Sequence, residues 1–233
     1  SNAHVVRGLE EVITTLAFLG PVPFAVKSGT VIGGSDTYIL NNFIVHPSYN
    51  NTAQSPDVAM LITSAQFSSV LSFLPRNLSD ELRTGQPIGT MGFPGEIAAL
   101  NTTVPVATFK DGTISALRPY NPSMTPFTDA NNRFVQHNLD LSGGTSGSPI
   151  FDHQGWVVAV NNSGTEALVI NQRTGAPSRV GTGNIGFGIR ADDIWEFIDF
   201  LASSKPASLT RTKGRTIPLR LTAENGTYMP FPA

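Results

Sequence analysis

Residues 141–149 have the sequence LSGGTSGSP, in which glycines stand close on both sides of Ser146. Glycine permits the sharp backbone path that exposes a side-chain hydroxyl and turns successive main-chain N–H groups toward one point. An oxyanion hole needs such converging donors, so Ser146 is a candidate nucleophile. A glycine- and serine-rich loop without chemistry gives the same local pattern, and other segments must decide between the two interpretations.

A serine nucleophile needs a base that takes its proton and a buried carboxylate that orients this base. Asp57 opens the apolar run DVAMLI at residues 57–62, which predicts a carboxylate at the mouth of a buried strand. His4 lies upstream of both residues, where an apolar turn begins. The order along the chain is therefore histidine, aspartate and serine.

The composition excludes several other classes of protein. The 233 residues include 22 glycines and 17 prolines but few charges, which favours short strands joined by many turns. A net charge of −2 gives no electrostatic footprint for nucleic acid, and no apolar run of about 18 residues is present to cross a bilayer. We therefore expect neither nucleic-acid binding nor membrane insertion. The absence of cysteine excludes disulfides, a thiol nucleophile and cysteine zinc sites.

Short apolar clusters between turn signals predict an all-β chain. The predicted strands are Gly29–Ile32, Tyr38–His46, Val58–Thr63, Pro87–Phe93, Val104–Phe109, Phe134–Leu139, Trp156–Val160, Leu168–Asn171 and Ile185–Ile189. A hairpin turn is predicted at Asp152–Gly155. Two helices are predicted, a short one after His4 and an amphipathic one over Asp192–Leu201 with acidic residues at its N-terminal end.

Five motifs follow one another along the chain. They are SNAHVV at residues 1–6, HPSY with DVAML at residues 46–49 and 57–61, GTMGFPG at residues 89–95, GTISA at residues 112–116 and GTSGSP at residues 144–149. In these motifs and their order the chain resembles the chymotrypsin-fold serine peptidases, in particular the cysteine-free bacterial trypsin-like, glutamyl-endopeptidase and HtrA types, whose histidine motif is TNAHVV. The matches extend from His4 to about Leu201.

This resemblance implies an endopeptidase built from two antiparallel six-stranded β-barrels and a C-terminal helix, with the active cleft between the barrels. It implies His4 as the general base, Asp57 as the residue that orients it and Ser146 as the nucleophile. The main-chain N–H groups of Gly144 and Ser146 are the implied oxyanion hole.

The expected partner is a polypeptide substrate that binds in an extended conformation beside residues 158–163. Val160, Asn161 and Asn162 would then contact the substrate. His137 precedes Ser146 by nine residues, and it either faces the substrate or is a structural histidine.

Asp140 stands six residues before Ser146, where trypsin carries the aspartate of its specificity pocket. The resemblance to trypsin implies a preference for Arg or Lys before the scissile bond. HtrA-type relatives are not usually acidic at this position, so a preference for small aliphatic or uncharged residues is the alternative.

We expect an N-terminal barrel over residues 4–105, a C-terminal barrel with its helix over 106–201 and an extension over 202–233. Residues 1–3 match the scar of a cleaved expression tag. The family has further strands before its histidine, so we expect the first barrel to be incomplete at its N-terminal side. Residues 215–222 predict an edge strand, and residues 206–233 either replace the missing strands or form a tail without structural consequence.

Two further functions compete with the peptidase. One is a catalytically defective peptidase fold that keeps the peptide groove as a binding or scaffold protein, and the other is a carbohydrate-binding sandwich. The four histidines lie too far apart for a short metal motif, so we expect neither a metal nor another cofactor. The resemblance implies a secreted or periplasmic location.

Overall fold

The computed structural model describes residues 1–7, 15–18, 23–27, 30–33, 36–52, 54–63, 70–93, 107–121, 131–140, 143–170, 177–203, 220–222 and 228–230. The elements in these residues are almost entirely antiparallel strands. Within this part of the chain, no helix has both the length and the apolar character needed to span a membrane.

The first half of the chain forms a sheet of five antiparallel strands that follow one another in sequence order. The strands are β1 (Thr15–Phe18), β2 (Pro23–Lys27), β3 (Thr30–Gly33), β4 (Asp36–Val45) and β5 (Ala59–Thr63). The short helix α1 (Ala3–Arg7) precedes them. The sequence predicted a six-stranded barrel here, and closure of this sheet into a barrel stays a prediction.

The second half forms a closed barrel of six antiparallel strands. They are β6 (Pro87–Gly92), β7 (Thr108–Arg118), β8 (Phe134–His137), β9 (Pro149–Asp152), β10 (Val157–Ile170) and β11 (Pro177–Arg190). Their order around the barrel is β10, β11, β8, β7, β6 and β9. Alternate positions fill the interior with fully buried side chains such as Ile114, Val135 and Ile150. The predicted six-stranded C-terminal barrel is therefore confirmed.

The C-terminal helix α2 spans Ala191–Ser203 and follows β11 directly, as the sequence predicted to within two residues at each end. Two acidic residues in its first turn complement the positive end of the helix dipole. Its buried Phe197 packs in one core cluster with Val58 from the first half and Val160 from the barrel. Since Val58 adjoins Asp57, this cluster ties the two halves together beside the candidate site.

Strands β10 and β11 are much longer than the sequence predicted. The apolar pattern predicted two short strands, Trp156–Val160 and Leu168–Asn171, where the structure has the single strand β10. Within β11 it predicted only Ile185–Ile189. The intervening residues are rich in Asn, Ser, Thr and Gly, which interrupts the apolar pattern. Pairing between the two strands carries the ladder through this stretch, with register shifts between Asn161 and Ser163 and after Gly164.

Two other expectations fall partly outside the described residues. The predicted strand Val104–Phe109 and the predicted domain boundary at residues 105 and 106 include undescribed residues, while β7 itself extends to Arg118. In the extension, β12 (Arg220–Thr222) pairs with β13 (Tyr228–Pro230). Among the described strands, neither of these pairs with the N-terminal sheet. The two alternatives for residues 206–233, a replacement of barrel strands and a tail without structural consequence, both stay predictions.

Candidate active site

Helix α1 brings His4 against the carboxylate of Asp57. His4 Nδ1 lies 2.5 Å from Asp57 Oδ2, and the main-chain N–H of His4 donates to Oδ1 of the same carboxylate at 2.8 Å. Asp57 is buried, whereas the His4 side chain is 43% exposed. With Nδ1 directed at the carboxylate, Nε2 is on the opposite side of the ring. The pair therefore has the orientation that a histidine base requires.

The two residues before α1 fix the backbone around Asp57. Asn2 is fully buried, and its Nδ2 donates to the main-chain carbonyl of Asp57 at 2.8 Å. The N–H of Ala59 donates to the carbonyl of Ser1 at 2.8 Å. The interpretation of residues 1–3 as a tag scar did not predict this contact. The available signal was the position of Asn2 inside the SNAHVV motif.

Ser146 lies in a tight turn that glycine makes possible. Gly144 and Gly147 have φ angles of 92° and 83°, in the left-handed region that side chains with a Cβ disfavour. The N–H of Ser148 donates to the carbonyl of Thr145 at 3.1 Å, which closes the turn around Ser146. Among the described residues, the N–H groups of Gly144 and Ser146 have no acceptor. These are the two donors that the family resemblance implied for an oxyanion hole.

The structure does not join all three predicted catalytic residues. It brings His4 and Asp57 together, but within the described part of the chain Ser146 makes no hydrogen bond with His4. Ser146 itself is partly exposed at the surface of the turn.

Asn161, on β10, makes several hydrogen bonds to the turn that contains Ser146. Its Nδ2 donates to the carbonyl of Thr145 at 2.9 Å and to Thr145 Oγ1 at 3.2 Å. Its main chain accepts from Gly147 N–H at 2.9 Å and donates to the Ser148 carbonyl at 2.8 Å. Asn161 is only 2% exposed. Asn161 was predicted to contact the substrate, and its bonds to the Ser146 turn were not predicted from the sequence.

His137 and the two neighbours of Asn161 on β10 are also buried. His137 is fully buried, and burial lowers its pKa to about 4, while the Asn161 side chain acts in the opposite direction. Its imidazole is therefore neutral near pH 7. Val160 packs in the core cluster that contains Val58, and Asn162 is buried as well. Substrate contact by these residues stays a prediction.

Asp140 differs from the buried carboxylate that a trypsin-like specificity pocket requires. Its side chain is 68% exposed, and its Oδ2 lies 2.5 Å from Nζ of Lys110 on β7. The ion pair leaves little unpaired negative charge for a basic substrate side chain.

The remaining histidines have structural surroundings. His46 is buried, its ring centroid lies 5.1 Å from that of Phe197, and burial lowers its pKa. His153 is exposed in the turn between β9 and β10. The described ranges contain no group of three or more histidine, aspartate or glutamate residues that could hold a metal ion.

The family model for the trypsin-like peptidase domain matches residues 1–160, which is more than half of the chain. The chain belongs to the trypsin-like peptidase family. The match includes His4, Asp57 and Ser146 and most of the barrel that carries the serine. No curated protein matches the sequence.

Solved structures with a similar fold include an HtrA-type protease and a protein from M. tuberculosis. The HtrA-type protease AlgW, solved with a decapeptide, is 18% identical with a TM-score of 0.52 over 87% of this chain and 48% of its own. Rv3671c from M. tuberculosis H37Rv, solved as an inactive serine-to-alanine mutant, is 17% identical with a TM-score of 0.51 over 89% of this chain and 94% of its own. These similarities show an all-β chymotrypsin-like fold. The chain spans about half the length of AlgW.

Proposed function

We propose that this member of the trypsin-like peptidase family is a serine endopeptidase in which His4, Asp57 and Ser146 form the catalytic triad. The single observation that carries the proposal is the contact of 2.5 Å between His4 Nδ1 and the buried Asp57 carboxylate. A partly exposed histidine oriented by a buried aspartate is what a general base for a serine hydroxyl needs.

The reaction would follow the acyl-enzyme route. His4 Nε2 takes the proton of Ser146 as Oγ attacks the carbonyl carbon of the scissile peptide bond. The resulting oxyanion accepts hydrogen bonds from the N–H groups of Gly144 and Ser146, which have no acceptor among the described residues. The tetrahedral intermediate collapses as His4 donates its proton to the departing amine. Water then hydrolyses the acyl-enzyme with His4 again acting as the base.

The unformed bond between Ser146 and His4 is compatible with this role. Catalytic hydrogen bonds are often long or absent without substrate and tighten in the Michaelis complex. We expect substrate in the cleft to bring Ser146 Oγ within reach of His4 Nε2.

The proposed substrate is an extended polypeptide. It would pair with the main chain of β10 next to Asn162, because Val160 and Asn161 already pair with β9, β11 and the Ser146 turn. The decapeptide present with AlgW supports a peptide ligand for this fold. Since Asp140 is exposed and paired with Lys110, we propose a small or uncharged residue before the scissile bond rather than Arg or Lys.

A fluorophosphonate probe tests the proposal directly, because only a serine activated by a base reacts rapidly with it. We expect the wild-type chain to be labelled at Ser146, as located by peptide mass spectrometry, and to cleave an unfolded protein substrate. Ser146→Ala and His4→Ala should be neither labelled nor active. Peptide binding without labelling or cleavage would instead support the catalytically defective binding protein.

A further inference from the structure

Asn161 makes hydrogen bonds to residues that precede and follow Ser146 in the sequence. Its main chain bonds to Gly147 and Ser148, after the serine, and its side chain bonds to Thr145, before it. The main-chain bonds need no particular side chain at position 161. The two contacts of Nδ2 with Thr145 do need an amide. They are therefore the only bonds in this set that depend on asparagine at position 161.

The position of Thr145 controls the direction of the donors near it. The peptide unit between Thr145 and Ser146 contains both the Thr145 carbonyl and the Ser146 N–H. The Thr145 carbonyl accepts from Ser148 N–H at 3.1 Å and from Asn161 Nδ2 at 2.9 Å. These two bonds together set the direction of the Ser146 N–H, which lies on the opposite side of the same planar unit, and the Asn161 bond is the one made by a side chain. Gly144 precedes this unit with a φ of 92°, a conformation from which it can move easily if Thr145 is released.

We propose that Asn161 is a positioning residue for Ser146, acting through Nδ2 and Thr145 to keep the turn in the form that presents Oγ and aligns the Gly144 and Ser146 N–H groups. The inference rests on the proposed function for its catalytic meaning. Its structural content, that the Asn161 side chain orders residues 143–148, does not depend on activity.

Hydrogen–deuterium exchange of the full chain tests this structural content. Asn161→Asp keeps the size of the side chain but loses the N–H donor. Asn161→Ala removes the donor and most of the side chain. Asn161→Ser, whose hydroxyl is too short to reach Thr145, is made in parallel so that the test does not depend on the folding of one variant. We expect the bonded amides of this turn, those of Gly147 and Ser148, to exchange about five- to tenfold faster in these variants. Protection of residues 134–137 on β8 reports that the barrel is intact.

Thr90→Val is the matched control. Thr90 Oγ1 donates to the carbonyl of Pro149 at 2.8 Å, so it also makes a buried side-chain bond to main chain in this barrel, but beyond the turn. We expect exchange at residues 143–148 to be unchanged in this variant. Faster exchange there in Thr90→Val as well would mean general loosening of the barrel and would overturn a specific role for Asn161.

Kinetics test the catalytic meaning. Misplacement of a nucleophile reduces the chemical step, so we expect fluorophosphonate labelling and kcat to fall about 10- to 100-fold in Asn161→Asp, with KM changed much less. A rise in KM alone would assign Asn161 to substrate binding and contradict the positioning role. If wild-type Ser146 is not labelled, the proposed function fails, and the exchange experiment still decides the inference. Wild-type exchange at 143–148 in every folded Asn161 variant would overturn it.

Discussion

Asn2 Nδ2 donates a hydrogen bond of 2.8 Å to the main-chain carbonyl of Asp57, the residue whose carboxylate meets His4. The donor is fully buried. Asp57 is therefore held at its backbone by one residue near α1 and at its side chain by another. Because Asp57 is held at its main chain and at its carboxylate, it loses little further conformational freedom when it orients the His4 ring. The His4–Asp57 pair is therefore preorganised before substrate binds.

Asn2→Ala should weaken this preorganisation. The variant loses one buried hydrogen bond, which lowers the free energy of unfolding by about 1 kcal/mol, and we expect kcat to fall about tenfold through misplacement of Asp57. Asn50→Ala is the control, because among the described residues the Asn50 side chain bonds only to Thr52, in an exposed loop. Thermal melts and steady-state kinetics check both effects. Equal kcat in Asn2→Ala and the wild type would show that the contact has no role in catalysis.

Ser146→Ala should abolish peptide hydrolysis and leave the melting temperature almost unchanged. Ser146 is partly exposed and its hydroxyl is small, so its removal costs little packing, whereas loss of a triad member removes most of the rate. Ser148→Ala, in the same turn but fully buried, is the matched serine control and should retain activity. The measurement is kcat/KM on a chromogenic peptide together with a thermal melt. Full activity in Ser146→Ala would exclude Ser146 as the nucleophile.

Asp57→Asn should preserve the shape of the site and remove its charge. The asparagine side chain stabilises the wrong tautomer of His4 and cannot stabilise an imidazolium, so we expect kcat to fall by about four orders of magnitude near neutral pH. Asp140→Asn is the matched control, because this carboxylate is exposed and paired with Lys110. A decrease in Asp57→Asn no larger than in Asp140→Asn would contradict the orienting role.

The preference before the scissile bond follows from the pairing of Asp140. Its charge is balanced by Lys110 and its side chain is largely exposed, so it gives a basic substrate side chain little attraction. We expect kcat/KM for Ala or Val peptides to exceed that for Arg peptides, and Asp140→Ser to leave this ratio unchanged. A strong preference for Arg that disappears in Asp140→Ser would instead support the trypsin-like alternative.

The sequence predicted the candidate catalytic residues that lie in short motifs. It did not predict contacts between residues that are far apart in the sequence. His4, Asp57 and the glycine-flanked Ser146 were recognisable because each lies in a local pattern with a chemical reason. The Lys110–Asp140 pair joins residues 30 positions apart, and no local sequence pattern at either residue predicts the pairing. The contacts of Asn161 with the Ser146 turn arise in the same way, from barrel pairing that brings β10 beneath the loop before β9.

The lengths of β10 and β11 were unpredictable for a different physical reason. Apolar alternation detects strands whose one face is buried, but the polar middle of this hairpin is held by main-chain pairing between its two strands. The short strands that the sequence did predict contain the residues that fill the barrel, including Val135 and Val158.

Burial of His137 predicts a loss of stability in mild acid. An exposed histidine in the unfolded chain titrates near pH 6.5, whereas burial lowers the pKa of the folded ring to about 4. Between these values the unfolded state binds more protons, so the free energy of unfolding falls as the pH falls, by up to about 1.4 kcal/mol per pH unit. Above about pH 6.5 the neutral ring is favoured in both states, and its full contribution is present.

His137→Gln should therefore have a flatter dependence of Tm on pH than the wild type between about pH 4.5 and 7. His46, whose pKa burial also lowers, acts in the same direction as His137, and Asp193, whose pKa burial raises to about 6, acts in the opposite one. Both remain in the variant, so their effects cancel in the comparison. His153→Gln, which replaces an exposed histidine, should keep the wild-type slope. Parallel curves for His137→Gln and the wild type would show that His137 does not cause the acid sensitivity.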